Sequence, residues 1–524
     1  MSEFMRKIPF EQLMNWCREE YKKDETIFGV HKEKFYFSKS GKTMKNVFGE
    51  DITTPVGPAA GPQSQLAQNI IASYLTGARF MEIKTVQEID GKGIQDAVPR
   101  PCIFAEDECY NQEWSTELTV QQAFDEYVKA YVAIHALAKE LGISDKKDFA
   151  YNMSVGYNLE DIKKEKTDTY INNLNDASNT PAFKDSVQWL KDNLDKFDNL
   201  TEEDIDAISP VVCNTVTIST LHGCPADEIE SIASYMLTEK NMDTFVKMNP
   251  TLLGIDRARE IANKLNFDYI SFSETNFGLD LKFDQAVEMV GRLLELAEEK
   301  GRVFGVKITN TCPVDTLRNE LPNDEMYMSG RSLYPLSVAT ALLISEPFGG
   351  KLPISYSGGA DAFKLADLLN LGFQPITVAT TILKPGGYSR FKQLAEISEE
   401  TMFDYKGVDV EALKKYFDEL LNTWENNKLY REKVGSRKTD SKLPLVDCFK
   451  APCKDGGCPI EQQIPEYLKL VADGNYDEAM KVIANDNTAP TILGQICAHH
   501  CQEHCTRVDY EKTLQIRDIK LIAA

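Results

Sequence analysis

Between about residues 51 and 395, short apolar runs alternate with amphipathic segments, and this alternation restricts the fold more than any other feature of the chain. Apolar runs bounded by turn residues read as buried strands, and apolar residues recurring every three or four positions read as helices. The candidate strands are Thr54–Ala60, Arg79–Thr85, Ala150–Gly156, Thr215–Leu221, Phe245–Met248, Tyr269–Ser273, Phe304–Ile308, Pro353–Ser357 and Ile376–Thr380. Helices are expected between most of them, at Ser64–Leu75, Ala226–Leu237, Ile255–Leu265, Phe283–Glu299, Ala360–Asn370 and Gly387–Ile397. Repeated strand–helix units build a parallel sheet, and this many repeats close it. The expected fold is therefore α/β, a (β/α)8 TIM barrel with helical insertions. There is one strand candidate too many for eight places, so Tyr269–Ser273 or Phe304–Ile308 is expected to lie outside the barrel.

The rest of the chain divides around this unit. Residues 1–50 read as a helical lead-in, with apolar residues at helical spacing from Phe10 to Tyr21. The barrel is assigned to 51–400, a helix and linker to 401–445, and a small all-α domain to 446–524. Two long insertions, about 86–148 and 157–210, follow the second and third strands. Both are acidic and read as helical, and their position makes them candidate lids or partner surfaces. Solvated helical padding explains 160–205 equally well.

Six of the twelve cysteines fall between residues 448 and 505. They form two triplets: Cys448, Cys453 and Cys458, the last followed by Pro459, then Cys497, Cys501 and Cys505. Zinc sites usually pair cysteines two to four residues apart. A Cys–Pro that closes a cysteine run is instead a ferredoxin-like trait. If 497–505 is helical, its three sulfurs share one face and can wrap a cuboidal cluster. Iron–sulfur is thus the expected chemistry, with zinc and unligated redox thiols as the alternatives.

Several strand ends in the barrel carry residues that suit a ligand. PVGPAAGP at Pro55–Pro62 lets backbone approach a flat molecule, as would a simple tight turn. Ser357-Gly358-Gly359 and Ala379-Thr380-Thr381 close the last two strands, where barrels often bind phosphate. Lys84 and Lys247 each sit inside an apolar run, which is costly unless the charge is paired or used. Lys307 competes with Lys247 for the same role, and Asn310 follows it with amide contacts to offer. Cys224, at a helix start after Thr220-Leu221-His222-Gly223, is expected to have a lowered pKa and to trade a proton. His222 could do the same work. A buried structural cysteine is the plain alternative.

These residues resemble a known group. Residues 51–395 resemble the FMN barrel of dihydroorotate and dihydropyrimidine dehydrogenases, through Ala59–Gly61, IKT at Ile83–Thr85, VKMNP at Val246–Pro250, the SGG and ATT motifs, and MSGRSLYPLS at Met328–Ser337. Residues 446–524 resemble the iron–sulfur domain at the head of the glutamate synthase small subunit and of dihydropyrimidine dehydrogenase. CPIEQQIPEYLKLVADGNYDEA and CAHHCQEHCTR carry that likeness. The order of the two, with PVGPAAGPQSQLAQNI and LHGCPADEIE, is similar to the selenate reductase subunit family. The resemblance implies FMN, with Ala60 and Gly61 lining its ring, Lys84 and Lys247 at its polar edge, and Thr85 among its contacts. It places the phosphate at Gly358, Gly359, Thr380 and Thr381, gives Asn158 and Asn310 flavin or substrate contacts, and gives Cys224 the proton transfer. It implies one or two [4Fe–4S] clusters, since related domains use eight ligands and six cysteines remain here. The missing positions fall near Leu445 and on Lys520. An FAD/NAD(P)H module, as domain or subunit, would supply electrons, and the chain stops where that domain would begin.

Net charge of −23 argues against a nucleic-acid partner and gives no attraction to anionic membranes. No apolar run is long enough to span a bilayer, and the N-terminus lacks the apolar core of a signal peptide, so a cytoplasmic protein is expected. The expected function is flavin-dependent reduction of a small planar heterocycle, a pyrimidine- or purine-derived cyclic amide, with electrons fed through iron–sulfur centres. Cys224, His222 and Lys247 are the expected catalytic residues. Reduction of selenate or another oxyanion is one alternative, and a non-catalytic electron-transfer or docking subunit is another.

Overall fold

A computed structural model describes residues 5, 7–105, 108–113, 115–156, 158–219, 222–384, 386–401, 405–429, 451–509 and 512–524. The chain forms two compact units, Met1–Thr423 and Trp424–Ala524. The first is a barrel of eight parallel strands: β1 (Val56–Pro58), β2 (Phe80–Glu82), β3 (Ala150–Gly156), β4 (Thr215–Ser219), β5 (Asp243–Met248), β6 (Phe304–Ile308), β7 (Ile354–Tyr356) and β8 (Ile376–Val378). Their hydrogen-bonded order is β1-β8-β7-β6-β5-β4-β3-β2. The ring closes where the Arg79 N–H donates to the Val56 carbonyl at 2.8 Å. Close approach at this seam requires Gly57, because a Cβ there would stand 1.6 Å from the Phe80 carbonyl oxygen.

The extra strand candidate is resolved. Phe304–Ile308 is β6, paired with β5 and β7. Tyr269–Ser273 is not a barrel strand, and only Phe272 bridges Val314. Its polar alternation fits the edge of a small antiparallel sheet better than a barrel strand buried on both faces. That sheet runs Cys312–Asp315, Glu325–Gly330, Glu108–Asn111, Ile103–Ala105. It joins residues that follow β2 to residues that follow β6. The insertion at 86–148 is therefore part hairpin, a correction to the all-helical expectation. Its long helix, Val120–Glu140, opens with a capping box at Thr119 and Gln122. The insertion at 157–210 is helical as expected, with Glu165–Asn175 and Pro181–Asp192 its longest helices.

The lead-in helix Phe10–Asp24 buries Phe10, Leu13, Met14 and Cys17. Helix Val410–Asn422 packs on helix Tyr334–Ser345, where the Tyr416 and Tyr334 hydroxyls meet at 2.6 Å. The linker expected at 430–445 lies outside the described residues. The second unit is all α, built on Ile464–Ala472, Tyr476–Asp486, Pro490–Ile496 and Ile516–Ala523. Its core is Ile464, Tyr467, Ala479, Ile483, Cys501 and Ile516. Among the described residues, no helix is long and apolar enough to cross a membrane.

Candidate functional site

The C-terminal ends of the barrel strands and the small sheet beside them enclose a cavity of about 620 Å³. Ala60, Gly61, Lys84, Thr85, His222, Lys247, Asn310, Gly358, Gly359, Thr380 and Thr381 all line it. So do Ile103, Cys109, Asn111, Tyr327 and Ser329 of the small sheet, while none of the described residues of 157–210 does.

Its floor is charged. Lys247 on β5 and Lys307 on β6 are register partners and point to one carboxylate, Glu82 on β2. Lys247 Nζ is 3.2 Å from Glu82 Oε1. Lys307 Nζ bonds Glu82 Oε2 and donates to Thr377 Oγ1 at 2.6 Å. Burial alone would raise the Glu82 carboxyl, but Lys307 and Lys247 hold it below its usual range. Burial pushes Lys307 down, with Lys247 adding repulsion and Glu82 opposing both. Nearby, Lys84 Nζ lies 2.6 Å from Glu113 Oε1, and burial raises Glu113 against that pairing. Lys247 and Lys307 are therefore not alternatives, since both line the cavity and share Glu82. Two buried amides on the wall keep one atom each without a hydrogen-bond partner, Gln63 Oε1 and Gln87 Nε2.

His222 stands on the side wall. Its Nδ1 is 2.6 Å from Asp280 Oδ2, and its ring stacks on Tyr327 at 5.6 Å between centroids. Asp280 also accepts from Gly223 N at 2.6 Å, Thr251 Oγ1 at 2.8 Å and Asn249 Nδ2 at 3.0 Å. Burial would raise the Asp280 carboxyl, but His222, Thr251 and Gly223 hold it below its usual range. A carboxylate so fixed sets the orientation of the ring and leaves Nε2 as its other working atom.

The turns after β7 and β8 meet at one end of the cavity. Gly359 has φ +76°, and a Cβ there would stand 2.3 Å from the Gly330 carbonyl oxygen, so the turn requires glycine. Thr380 Oγ1 lies 3.2 Å from Ser329 Oγ, and Thr381 Oγ1 donates to the Ala360 carbonyl at 2.9 Å. Arg331, Lys384 and Arg390 line the same cavity.

Two expected residues stand apart. Asn158 does not line the cavity. It caps helix Leu159–Ile162, its Oδ1 accepting from Asp161 N at 2.8 Å and its Nδ2 donating to Asp161 Oδ2 at 2.8 Å. Cys224 does not line it either, and the expected lowering of its pKa is reversed. Burial, then Glu228, Asp227 and Asp280, push the thiol up to about 11. The acidic first turn of helix Ala226–Thr238 adds to the burial and opposes what a helix N-terminus would otherwise do for a thiolate.

In the second unit, Cys448 lies outside the described residues. Cys453 and Cys458 pack against the core that contains Cys501. Burial, then Cys497, Cys458 and Cys453, push Cys501 up to about 12, and the same four cysteines add to the burial that raises Tyr467. Cys453, Cys458 and Cys501 thus share one small core with Tyr467. Among the described residues, no three His, Cys, Asp or Glu side chains stand close enough for a single metal ion. A four-iron cube needs wider spacing between its cysteines than a single ion does, and thiolates are its ligands. The single helical face expected over 497–505 is not formed. Cys497 is extended and His499 left-handed at φ 49°, so the helix covers only His500–Glu503. The His499 N–H donates to Cys497 Sγ at 3.3 Å across this bend. Cys505 is buried just beyond it.

Asp280, Glu82, Glu113, Gln63 and Gln87 were not expected from the sequence. Glu82 did leave a signal, since it precedes Lys84 by two within the expected strand Arg79–Thr85 and so would share its face. Asp280 left none, because it follows His222 by 58 positions in an irregular segment.

Residues 28–428 match the family model described as oxidoreductase YgfK, N-terminal TIM-barrel domain. Residues 435–524 match the one described as dihydropyrimidine dehydrogenase domain II, 4Fe-4S cluster. YgfK of Escherichia coli (strain K12) is 45% identical over 536 residues, covering 100% of this chain and 51% of its own length. The chain thus spans about half the length of the curated relatives it matches across its full extent. The glutamate synthase [NADPH] small chain of Bacillus subtilis (strain 168) is 30% identical over 83 residues, 14% of this chain and 17% of its own. DHODH from Eimeria tenella, crystallised with ferulenol, aligns over 76% of this chain and 91% of its own at 14% identity, with a TM-score of 0.42.

Proposed function

The chain belongs to the oxidoreductase family defined by the YgfK N-terminal TIM-barrel domain, with a 4Fe-4S domain behind the barrel, and from that premise we propose that the barrel mouth is a flavin site. In this reading, electrons from an NAD(P)H-oxidising partner module pass through the iron–sulfur domain to FMN. The substrate is a small planar heterocycle, a pyrimidine- or purine-derived cyclic amide. The observation that supports it is the meeting, in one cavity, of a cationic floor, paired glycine and threonine turns, and a carboxylate-oriented histidine.

The residues present fit FMN. Gln63 and Gln87 hold unpartnered buried polar atoms beside the cavity. Three ammonium groups, Lys84, Lys247 and Lys307, face two carboxylates. When bound, FMN supplies hydride transfer to an activated double bond. Lys84, Lys247 and Lys307 would supply positive charge to the ring, and Ala60, Gly61 and Thr85 would line it. Gly358, Gly359, Thr380 and Thr381 hold the phosphate through amides and hydroxyls. Asn310 offers its amide to ring or substrate. His222, held through Nδ1 by Asp280, carries at Nε2 the proton the substrate takes up. Cys224 has no part in that step.

The test is anaerobic purification, reconstitution with FMN, and measurement of acid-released flavin against iron. Stoichiometric flavin is expected in the native chain, and a sharp loss in Gly359→Ala. An iron-loaded chain that takes up no FMN overturns the reading and favours a purely electron-carrying role. In a heterocycle-reduction assay with an artificial donor, His222→Gln should lower turnover by about 10²–10⁴-fold. Cys224→Ser should leave it unchanged.

A further inference from the structure

Helix Ile516–Ala523 has two buried residues, Ile516 and Lys520, one turn apart on the same face. Ile516 belongs to the core that contains Cys501 and against which Cys453 and Cys458 pack. The Arg517 N–H donates to Gln502 Oε1 at 3.3 Å, which ties this helix to the residue after Cys501. Lys520 Nζ donates to Gln462 Oε1 at 3.3 Å, and Gln462 is itself tied to the Ile483 carbonyl. Lys520 is 5% exposed, and among the described residues it forms no ion pair with a carboxylate.

A buried ammonium without a carboxylate is expensive unless another negative group faces it. The negative group this domain supplies is a thiolate-bound [4Fe–4S] cluster, whose negative charge grows by one when it takes up an electron. A fixed positive charge beside it therefore stabilises the reduced form more than the oxidised one. We propose that Lys520 is a built-in charge that raises the reduction potential of the cluster served by Cys501. The proposal rests on the 4Fe-4S domain and is independent of the flavin reading. The step concerned is uptake of one electron by the cluster, with no bond made and no proton moved.

The experiment is an EPR-monitored titration of the full chain with dithionite, reading each reduced-cluster signal separately, for wild type, Lys520→Met, Lys520→Gln and Lys520→Arg. Iron and labile sulfide are measured on each sample. The neutral variants should keep their iron and move one signal to lower potential by about 59 mV, the one-electron equivalent of a tenfold change. Lys520→Arg should stay near wild type. If one neutral variant loses iron, the other decides. Unchanged midpoints in an iron-replete neutral variant overturn the proposal. So does loss of iron from both neutral variants while Lys520→Arg keeps it, because Lys520 would then hold the fold.

Discussion

The two ends of the barrel both bury charge, and they do so differently. At the N-terminal end of the strands, Arg79 Nε lies 2.7 Å from Asp148 Oδ2. Arg79 Nη1 donates to the Tyr74 and Ala78 carbonyls at 2.7 and 2.9 Å, and its guanidinium lies over the Tyr74 ring. Asp148 also accepts from the Tyr74 hydroxyl at 2.8 Å and from Thr53 Oγ1 at 2.5 Å. Here one cation meets one anion. At the C-terminal end, three lysines face Glu82 and Glu113, and the amides of Gln63 and Gln87 each keep an unpartnered atom. A closed network serves the fold. An open one, with excess positive charge beside a cavity, is arranged for something that comes from outside.

The largest effect is expected where the network is closed. Asp148→Asn leaves the Arg79 guanidinium buried without a counter-charge, and arginine cannot shed its proton. Loss of about 3–5 kcal/mol is expected, read by urea unfolding at neutral pH. FMN uptake by the folded fraction should not change. Full stability in this variant would erase the contrast between the two ends.

Glu82→Gln should cost less, although Glu82 is as deeply buried. It leaves Lys247 and Lys307 facing each other, but a lysine can neutralise itself, and burial already pushes Lys307 down. A loss of about 1–3 kcal/mol is expected at pH 7. The sign with pH is fixed. In the variant, folded Lys307 loses its proton below the unfolded lysine pKa of about 10.4, so the unfolded chain binds more protons over that window. The deficit relative to wild type should therefore shrink as pH rises from 7 to 9. A deficit that grows with pH would show that the lysines stay charged, as Arg79 does.

The same contrast explains what the sequence disclosed. The barrel was readable because strand and helix periods are local, and Ala150–Gly156 and Phe304–Ile308 match their expected bounds. Ligand-facing residues at strand ends were readable where the anomaly was local: a lysine inside an apolar run, or glycine pairs before a helix. Partners that arrive from elsewhere in the chain were not. Asp280 reaches His222 across 58 positions, and Arg79 finds Asp148 across 69. Cys224 misled because its helix start was weighed without its burial and without the carboxylates of Glu228 and Asp227 beside it. Asn158 misled because an asparagine at a strand end caps a helix as readily as it meets a ligand. The strands Ile103–Ala105 and Glu108–Asn111 went unread because the acidic stretch Glu106, Asp107 and Glu108 interrupts the apolar run that marked the barrel strands.

Lys307→Met should give the smallest effect and separates the two ends most cleanly. It removes one of the two ammoniums on Glu82 and leaves Lys247 paired with it, so the floor becomes one-to-one like the opposite end. Methionine is apolar and close to the lysine stem in length, and the site is 2% exposed, so burial is kept. Stability should change by less than about 1 kcal/mol, because the lost ion pair is offset by relief of repulsion and by cheaper burial. On the proposed flavin reading, FMN affinity should fall about tenfold, or about 1.4 kcal/mol, because one positive charge of the cavity floor is lost. Flavin fluorescence quenching on titration into the iron-loaded variant measures the affinity, and urea unfolding the stability. A variant that binds FMN as tightly as wild type but unfolds several kcal/mol more easily would place Lys307 with Arg79, as a residue of the fold alone.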